Sequence, residues 1–408
     1  MLGVVPRTLT VFLTLSYLAL DQLIEALQIF KEEIVEFEIV KHSQRLAEIC
    51  QQASNKPFLM LDTEFVRTRT LYARLGLIQM FDGETLALVD PVEIDDLTPL
   101  WDLLKNESVT KVLHACGEDL EVFQHYAGCM PTPMIDTQIM AAFLGYGLST
   151  GFAKLVSDYL GVDLDKGESR TDWMARPLSD KQLDYAAADV HYLLPLFEKL
   201  QAELAQTEWE KAAYQESLLA VKKREKQPDP EKAYLDIKNA WQLNGKQLAI
   251  LKMAAQWRLE EARKRDLAVN FVVQELNLWK LARFGLRSKE QMLKEEFDSR
   301  EVQRHGGKLL RFTYLADELN ENEYPETLTR LMDYPGYKQI FKLLKDEVKA
   351  ASDQSGLMPE FLASKKQLNQ LLSWKWKKNS HPDLKPDVLK EWREGLLAER
   401  FMAVLDKS

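Results

Sequence analysis

Asp62 and Glu64 close an apolar run, Phe58-Leu-Met-Leu, with one residue between them. On a strand, residues two apart project from the same face, so the two carboxylates stand side by side. Anions so placed repel unless a cation lies between them, and an all-oxygen donor pair suits a hard divalent ion. The alternative is an ordinary polar strand end. Asp119 follows a second strand-like run, 111–114, and falls in the first turn of a helix beginning at Gly117. A carboxylate there also complements the helix dipole, so capping accounts for it equally well. Tyr185 and Asp189, in Asp184-Tyr185-Ala-Ala-Ala-Asp189-Val-His191-Tyr192, are four apart, which puts a phenol and a carboxylate on one helix face. The three alanines leave that face open to a ligand or a neighbouring strand. Taken alone, the pair also reads as a packed tyrosine beside a solvated aspartate.

The surrounding pattern must position these groups. Runs at 58–65, 76–81, 85–90 and 111–114 are short and rich in Leu, Ile, Val and Phe, with Asp82-Gly83 between the second and third. Asp-Gly between two apolar runs signals a hairpin, so the region opens with antiparallel strands. After His114 the period becomes helical, at 117–126, 136–143, 152–160 and 179–204. Strands followed by helices predict an α/β layered unit ending near residue 210. Residues 221–230 are basic and interrupted by proline, which predicts a linker. Beyond it the period stays helical. Segments 237–286 and 367–405 share a plan of a Trp-bearing helix, with Trp257-Arg258 in one and Trp374-Lys375-Trp376 in the other. Two small helical bundles, divided around 315–325, fit this length better than one core.

Composition narrows the class. With 408 residues, 46% hydrophobic and only 17 Gly and 15 Pro, the chain is neither disordered nor collagenous and is long enough for two or three domains. Its net charge of −10 is uneven: residues 41–210 carry −13, residues 211–408 carry +7, and the first 40 carry −4. An acidic half suits metal ions and a basic half suits a polyanion, although drift in surface composition gives the same split. Three cysteines without a CxxC pair argue against a zinc site or a disulfide framework and for a reducing compartment. Residues 8–20 are uncharged and follow Arg7, but 13 residues are short of the roughly 17–25 that span a membrane. Acids rather than a cleavage site follow, so the expectation is an appended helix or a stretch read from an over-early start.

In combination, a strand Asp-x-Glu, a helix-start Asp and a helical Tyr-x3-Asp resemble the DEDD family of 3′→5′ exonucleases, in its Tyr subgroup. The likeness extends to Asp62-Thr-Glu-Phe-Val-Arg67-Thr-Arg69-Thr, Leu77-Ile-Gln79, His114-Ala, Asp119-Leu-Glu-Val-Phe123, Ile135-Asp136-Thr-Gln138, Ser169-Arg-Thr-Asp172-Trp173, Arg176-Pro-Leu178 and Tyr185-Ala-Ala-Ala-Asp189-Val. In order and spacing these resemble the bacterial ribonuclease D family, and the helical half is similar to its two HRDC domains. The resemblance covers roughly residues 37–408, leaving an extension of about 36 residues without a counterpart.

The resemblance implies an α/β ribonuclease H-like exonuclease domain, a mixed sheet flanked by helices, followed by two all-α HRDC bundles. The expected division is an extension at 1–36, the exonuclease at 37–210, a basic linker at 211–235, and HRDC domains at 236–317 and 323–406. It implies two divalent metal ions, Mg²⁺ or Mn²⁺. Asp62, Glu64 and Asp189 would ligate the ion that activates water, Asp62 would bridge to the second, and Asp119 would hold that second ion through water. Tyr185 would orient the attacking water, and the products would be nucleoside 5′-monophosphates. The implied substrate is RNA with a free 3′ end, chiefly tRNA precursors, met by a cytoplasmic monomer with no membrane attachment and no obligate protein partner.

Arg67, Arg69 and Arg176 are candidate phosphate contacts, with solvated surface as the alternative. His114 reads as a structural strand end and Asp136 as an N-cap rather than a ligand. Lys222-Lys223-Arg224, Arg263-Lys264-Arg265 and Lys375-Trp376-Lys377-Lys378 mix cations with nearby aromatics, as a nucleic-acid surface does. Two other functions compete: a 3′→5′ exodeoxyribonuclease of DNA repair, since the motifs do not read the 2′-OH, and an inactive RNA-binding scaffold. The scaffold predicts loss of a motif residue, and all five are present.

Overall fold

The structure, a computed structural model, describes residues 35–406 except Lys166 and 378–383, so the run at 8–20 and Lys378 lie outside the described residues. Strand β1 (Glu38–Val40) leads into helix α1 (Ser43–Ala53), then β2 (Phe58–Val66), β3 (Arg74–Phe81) and β4 (Leu86–Val89). Helix α2 (Thr98–Lys105), β5 (Thr110–Leu113), α3 (Gly117–Tyr126) and β6 (Met134–Asp136) follow. The six strands lie in the order β1-β4-β3-β2-β5-β6. Pairing is antiparallel across β2–β3 and β3–β4 and parallel elsewhere, so the sheet is mixed. The expected hairpin joins β3 and β4: Gly83 takes φ +94°, and the Asp82 carboxylate accepts from the backbone of Glu84 and Thr85. Strands β1 and β6, three residues each, are too short to show alternation in sequence.

Helices cover both faces. Met60, Leu77, Leu88, Val112 and Ile135 face α4 (Thr137–Phe143), α6 (Asp180–His191) and α7 (Leu193–Leu204), with α5 (Phe152–Leu160) at the margin. Leu59, Leu61, Ile78, Met80 and Leu113 face α1, α2 and α3. Because both parities are buried, β2 and β3 read as continuous apolar runs rather than alternating ones. The stretch 179–204 is two helices, not one. Pro195 has no N–H to offer the preceding turn, and the chain breaks at Tyr192.

The segment read as a linker is largely helix. Helix α8 (Glu210–Glu225) buries Ala212, Ala213, Ser217 and Val221. Ser217 accepts from the Asp136 backbone N–H at 3.2 Å, which ties α8 to the edge strand β6. The charged run Lys222-Lys223-Arg224-Glu225 at its end hid this buried face.

Two helical units follow. The first holds α9 (Gly245–Arg265), α10 (Val269–Val272), α11 (Glu275–Phe284), α12 (Lys289–Lys294) and α13 (Ser299–Glu318). The second holds α14 (Tyr337–Ser355), α15 (Pro359–Leu362), α16 (Lys365–Trp376) and α17 (Glu399–Leu405). A long helix, a single turn and a shorter helix open both units. The counterpart of the Trp257-bearing α9 is therefore α14, whereas Trp374 lies on α16, the counterpart of α11, so the internal likeness is real but its sequence register was displaced. Among the described residues, no helix is long and apolar enough to cross a membrane.

The second helical unit is continuous with the α/β core. Phe143 of α4 meets Phe361 and Trp392 edge-on, with ring centroids 4.7 and 4.9 Å apart. Arg393, 3% exposed, pairs through two nitrogens with Glu216 of α8 and donates to the carbonyls of Leu362 and Phe361. Removing one partner of such a buried pair strands the other charge. We expect Arg393→Met to lower unfolding free energy by about 3 kcal/mol. Adding Glu216→Leu should recover much of the loss, measured by urea denaturation.

Candidate active site

Asp62 and Glu64 project from β2 onto the α6 side of the sheet, the parity they share with Met60. Helix α6 starts at a capping box, in which Ser179 and Gln182 satisfy each other's backbone N–H groups. Gln182 also donates to the Thr171 hydroxyl at 3.1 Å. Ala186 and Ala187, both fully buried, let α6 lie close on the sheet. This brings Asp189 to the strand, so that ligand oxygens of Asp62, Glu64 and Asp189 lie within 4.8 Å of one another.

Asp119 arrives from the other layer. Thr63, between the two acids, faces α3, and its hydroxyl donates to the Asp119 carboxylate at 2.5 Å. The turn that delivers Asp119 is held by Asp136, whose carboxylate accepts from the backbone N–H groups of Ala115 (2.9 Å) and Cys116 (3.0 Å) while capping Gln138 (2.8 Å). Ala115 is left-handed there, at φ +54°. That conformation costs an L-residue about 1–2 kcal/mol, so these bonds must offset it. Asp136 is thus the N-cap expected, with a second task that its spacing did not reveal. His114 directly follows β5, with Nδ1 2.9 Å from the Thr137 hydroxyl, a structural contact.

Tyr185 packs against Trp173, ring centroids 6.2 Å apart. Trp173 is held down by Gly76, where a Cβ would fall 2.5 Å from the Trp173 carbonyl oxygen. Arg176 pins the same segment. It donates from Nε and Nη2 to Asp90 (2.7 and 2.6 Å), from Nη2 to the Gly76 carbonyl (2.7 Å) and from Nη1 to the Trp173 and Ala175 carbonyls (3.0 and 2.7 Å). All five guanidinium donors are in use, so none is left for a phosphate, and the expectation for Arg176 is corrected to a brace. Arg69 lies against the first helical unit. Its guanidinium carbon lies 5.8 Å from the Phe271 ring centroid, and its carbonyl accepts from Ala268. Arg67 pairs with Glu121 at 2.7 Å.

The acids pay an electrostatic cost for their proximity. Burial, then repulsion from Asp119, Asp189 and Glu64, raises Asp62 well above the usual carboxylate range. Burial and the charges of Asp189 and Asp119 push Glu64 up to about 9. Burial raises Asp189 to about 7 against a hydrogen bond from Tyr185, and Asp119 to about 6 against the bond from Thr63. Burial and the neighbouring carboxylates also raise Tyr185, which keeps its hydroxyl a donor at neutral pH. Four oxygen-donor acids, Glu64 and Asp119 buried and Asp62 and Asp189 partly so, all reluctant to ionise, fit hard divalent cations, which would favour the ionised forms.

A mixed sheet flanked by helices, with an acidic trio, a fourth acid and an adjacent tyrosine, defines a metal-dependent 3′→5′ exonuclease. A family model described as 3′-5′ exonuclease matches residues 37–205, one for the HRDC domain matches 247–312, and one for the ribonuclease D C-terminal HRDC domain matches 335–401. Ribonuclease D of Serratia proteamaculans is 48% identical over 369 residues, 90% of this chain and 99% of its own, and that of Escherichia coli K12 is 47% identical over 371 residues. The crystal structure of Escherichia coli RNase D superposes with a TM-score of 0.89 at 46% identity, covering 91% of this chain and 99% of that one. The chain belongs to the ribonuclease D family, whose reaction is 3′→5′ exoribonucleolytic hydrolysis.

Without divalent ions, the folded protein holds protons on Glu64 up to about 9 and on Asp189 up to about 7. The unfolded chain releases them near pH 4. The native state thus binds more protons through this window, and these groups make stability fall as pH rises across it. In EDTA, thermal unfolding of the wild type should show this decline, and Glu64→Gln/Asp189→Asn should be flatter. Equal slopes would contradict the assignment.

Proposed function

We propose that this enzyme trims extra 3′ nucleotides from structured RNA precursors, chiefly at tRNA 3′ ends, releasing nucleoside 5′-monophosphates with the help of two Mg²⁺ or Mn²⁺ ions. The observation that carries the reading is the trio of Asp62, Glu64 and Asp189 oxygens within 4.8 Å, with Tyr185 one helical turn from Asp189. The preference for structured RNA is supported by the Escherichia coli relative, described as an exoribonuclease involved in structured RNA processing. A cytoplasmic monomer acting on RNA with a free 3′ end completes the proposal.

In this reading Asp62, Glu64 and Asp189 hold one ion, while Asp62 and Asp119 serve the second. Thr63 occupies one side of the Asp119 carboxylate and leaves the other oxygen for that role. Bound there, divalent ions supply Lewis-acid activation of water and stabilise charge on the attacking and leaving oxygens. Tyr185 keeps its proton and orients the attacking water by hydrogen bonding. Trp173, pinned through Arg176 and Gly76, keeps that phenol from swinging away. Positioning of this kind accounts for much of such a rate, because the reacting atoms must meet in line.

With Mg²⁺ and an RNA bearing extra 3′ nucleotides, the products should be a stepwise ladder and 5′-monophosphates. Asp62→Ala or Asp189→Asn should abolish turnover with the fold retained, and Tyr185→Phe should lower kcat by roughly 10²-fold. Internal cleavage, a clear preference for a matched DNA, or near-normal activity of either aspartate variant would overturn the proposal.

A further inference from the structure

Three basic stretches distant in sequence meet at the junction of the α/β unit, α8 and α9. Arg67 beyond β2, Lys223 and Arg224 near the end of α8, Lys226 just past it, and Arg263 on α9 line one cleft of about 400 Å³. Among the described residues lining it, Glu121 is the one acid. Four of these five cations come from residues 211–408, which carry a net charge of +7, and they meet the edge of residues 41–210, which carry −13.

The arginines here differ from those that brace the fold. Arg67 donates through Nη2 to Glu121, Arg224 through Nη1 to the same carboxylate, and Arg263 through Nη2 to the Pro228 carbonyl. Each guanidinium has five donors, so most remain free, in contrast to Arg176 and Arg393. Lys223 pairs with Asp387 at 2.9 Å, whereas the exposed Lys226 has no partner among the described residues.

None of the four motif carboxylates lines the cleft, but it lies on the elements that carry three of them: Arg67 follows Glu64 by three residues, and Glu121 shares α3 with Asp119. Glu121 lies two residues after Asp119 on α3, and a Cβ on Gly117 would come 3.2 Å from Arg224 Nη2. Arg224 therefore crosses the turn that carries Asp119. The lining on α3 runs from Glu121 to His125, roughly 6 Å at 1.5 Å per residue. His125 stacks on Tyr72, ring centroids 4.0 Å apart and 11° from parallel, and both line the cleft. Aromatic rings beside cations are what single-stranded nucleic acid uses for stacking and phosphate contact.

We propose that this cleft grips the phosphodiester backbone of the RNA strand on the 5′ side of the nucleotide being removed, with Arg67, Arg224, Lys226 and Arg263 as phosphate contacts. The proposal rests on the exoribonuclease reading. Cations contributed by three separate elements suit a run of phosphates better than the single phosphate of a mononucleotide.

The test is the affinity of the full-length protein for a short single-stranded RNA, by fluorescence anisotropy in EDTA over a range of salt. Lys226→Ala/Arg263→Ala should bind about tenfold more weakly, and the slope of log affinity against log salt should shrink by about 1.4, at ~0.7 per phosphate contact. Lys226→Arg/Arg263→Lys should restore both. Lys345→Ala/Lys349→Ala, which removes equal charge from exposed positions on α14, should leave the slope unchanged. Wild-type affinity and slope in the cleft variant, no rescue by the charge-keeping pair, an equal loss in the α14 control, or full competition by a free 5′-mononucleotide would each overturn the proposal. Shortening of the same RNA by the wild type in Mg²⁺, run in parallel, separates the two failures. If shortening fails, the exoribonuclease reading falls, and if it proceeds with an unchanged slope, the cleft assignment alone falls.

Discussion

Four carboxylates crowded together with little access to water are the constraint to which the rest of the α/β unit answers. Asp62 and Glu64 share a strand face, Asp189 comes from α6 and Asp119 from α3, on opposite layers of the sheet. Left to themselves these groups repel and resist ionisation, as the upward shifts of Glu64 and Asp189 express. The fold therefore holds them against their own electrostatics. It does so with alanines that let α6 approach, a threonine that fixes Asp119, and an aspartate that locks a left-handed turn.

The same logic explains why the brace around Tyr185 is built from backbone contacts. Gly76 admits the Trp173 carbonyl where any side chain would collide, and Arg176 ties that segment to Asp90 and to the strand itself. Their contribution is to remove alternatives. The second helical unit extends this rigidity, since its aromatic contacts with Phe143 and the Arg393–Glu216 pair make it part of the α/β core rather than an appended module. The charge split seen in sequence is therefore not a split into independent pieces.

Much of this was legible from the residues. The strands β2 to β5, the Asp82-Gly83 hairpin and helices α3 and α5 follow from apolar runs, turn residues and helical period. The five motif residues stand out through their combined resemblance to the family's motifs, spacing alone pairing Asp62 with Glu64 and Tyr185 with Asp189, and the structure places oxygens of Asp62, Glu64 and Asp189 within 4.8 Å of one another. What sequence hid has physical reasons. Strands of three residues carry no period, and the charged end of α8 masked a buried face. Arg176 in sequence is indistinguishable from a phosphate ligand, because only its five partners reveal that it is fully committed. Thr63 gave no signal at all, since its importance depends on where α3 ends up.

On this physics the crowded acids keep protons that divalent ions would displace. Calorimetric titration of Mn²⁺ into the protein at neutral pH, repeated in buffers of different ionisation enthalpy, counts the protons released on binding. Release in the wild type, and much less from Glu64→Gln/Asp189→Asn, is expected. Tight Mn²⁺ binding with no proton release, or binding unaffected by those substitutions, would contradict it.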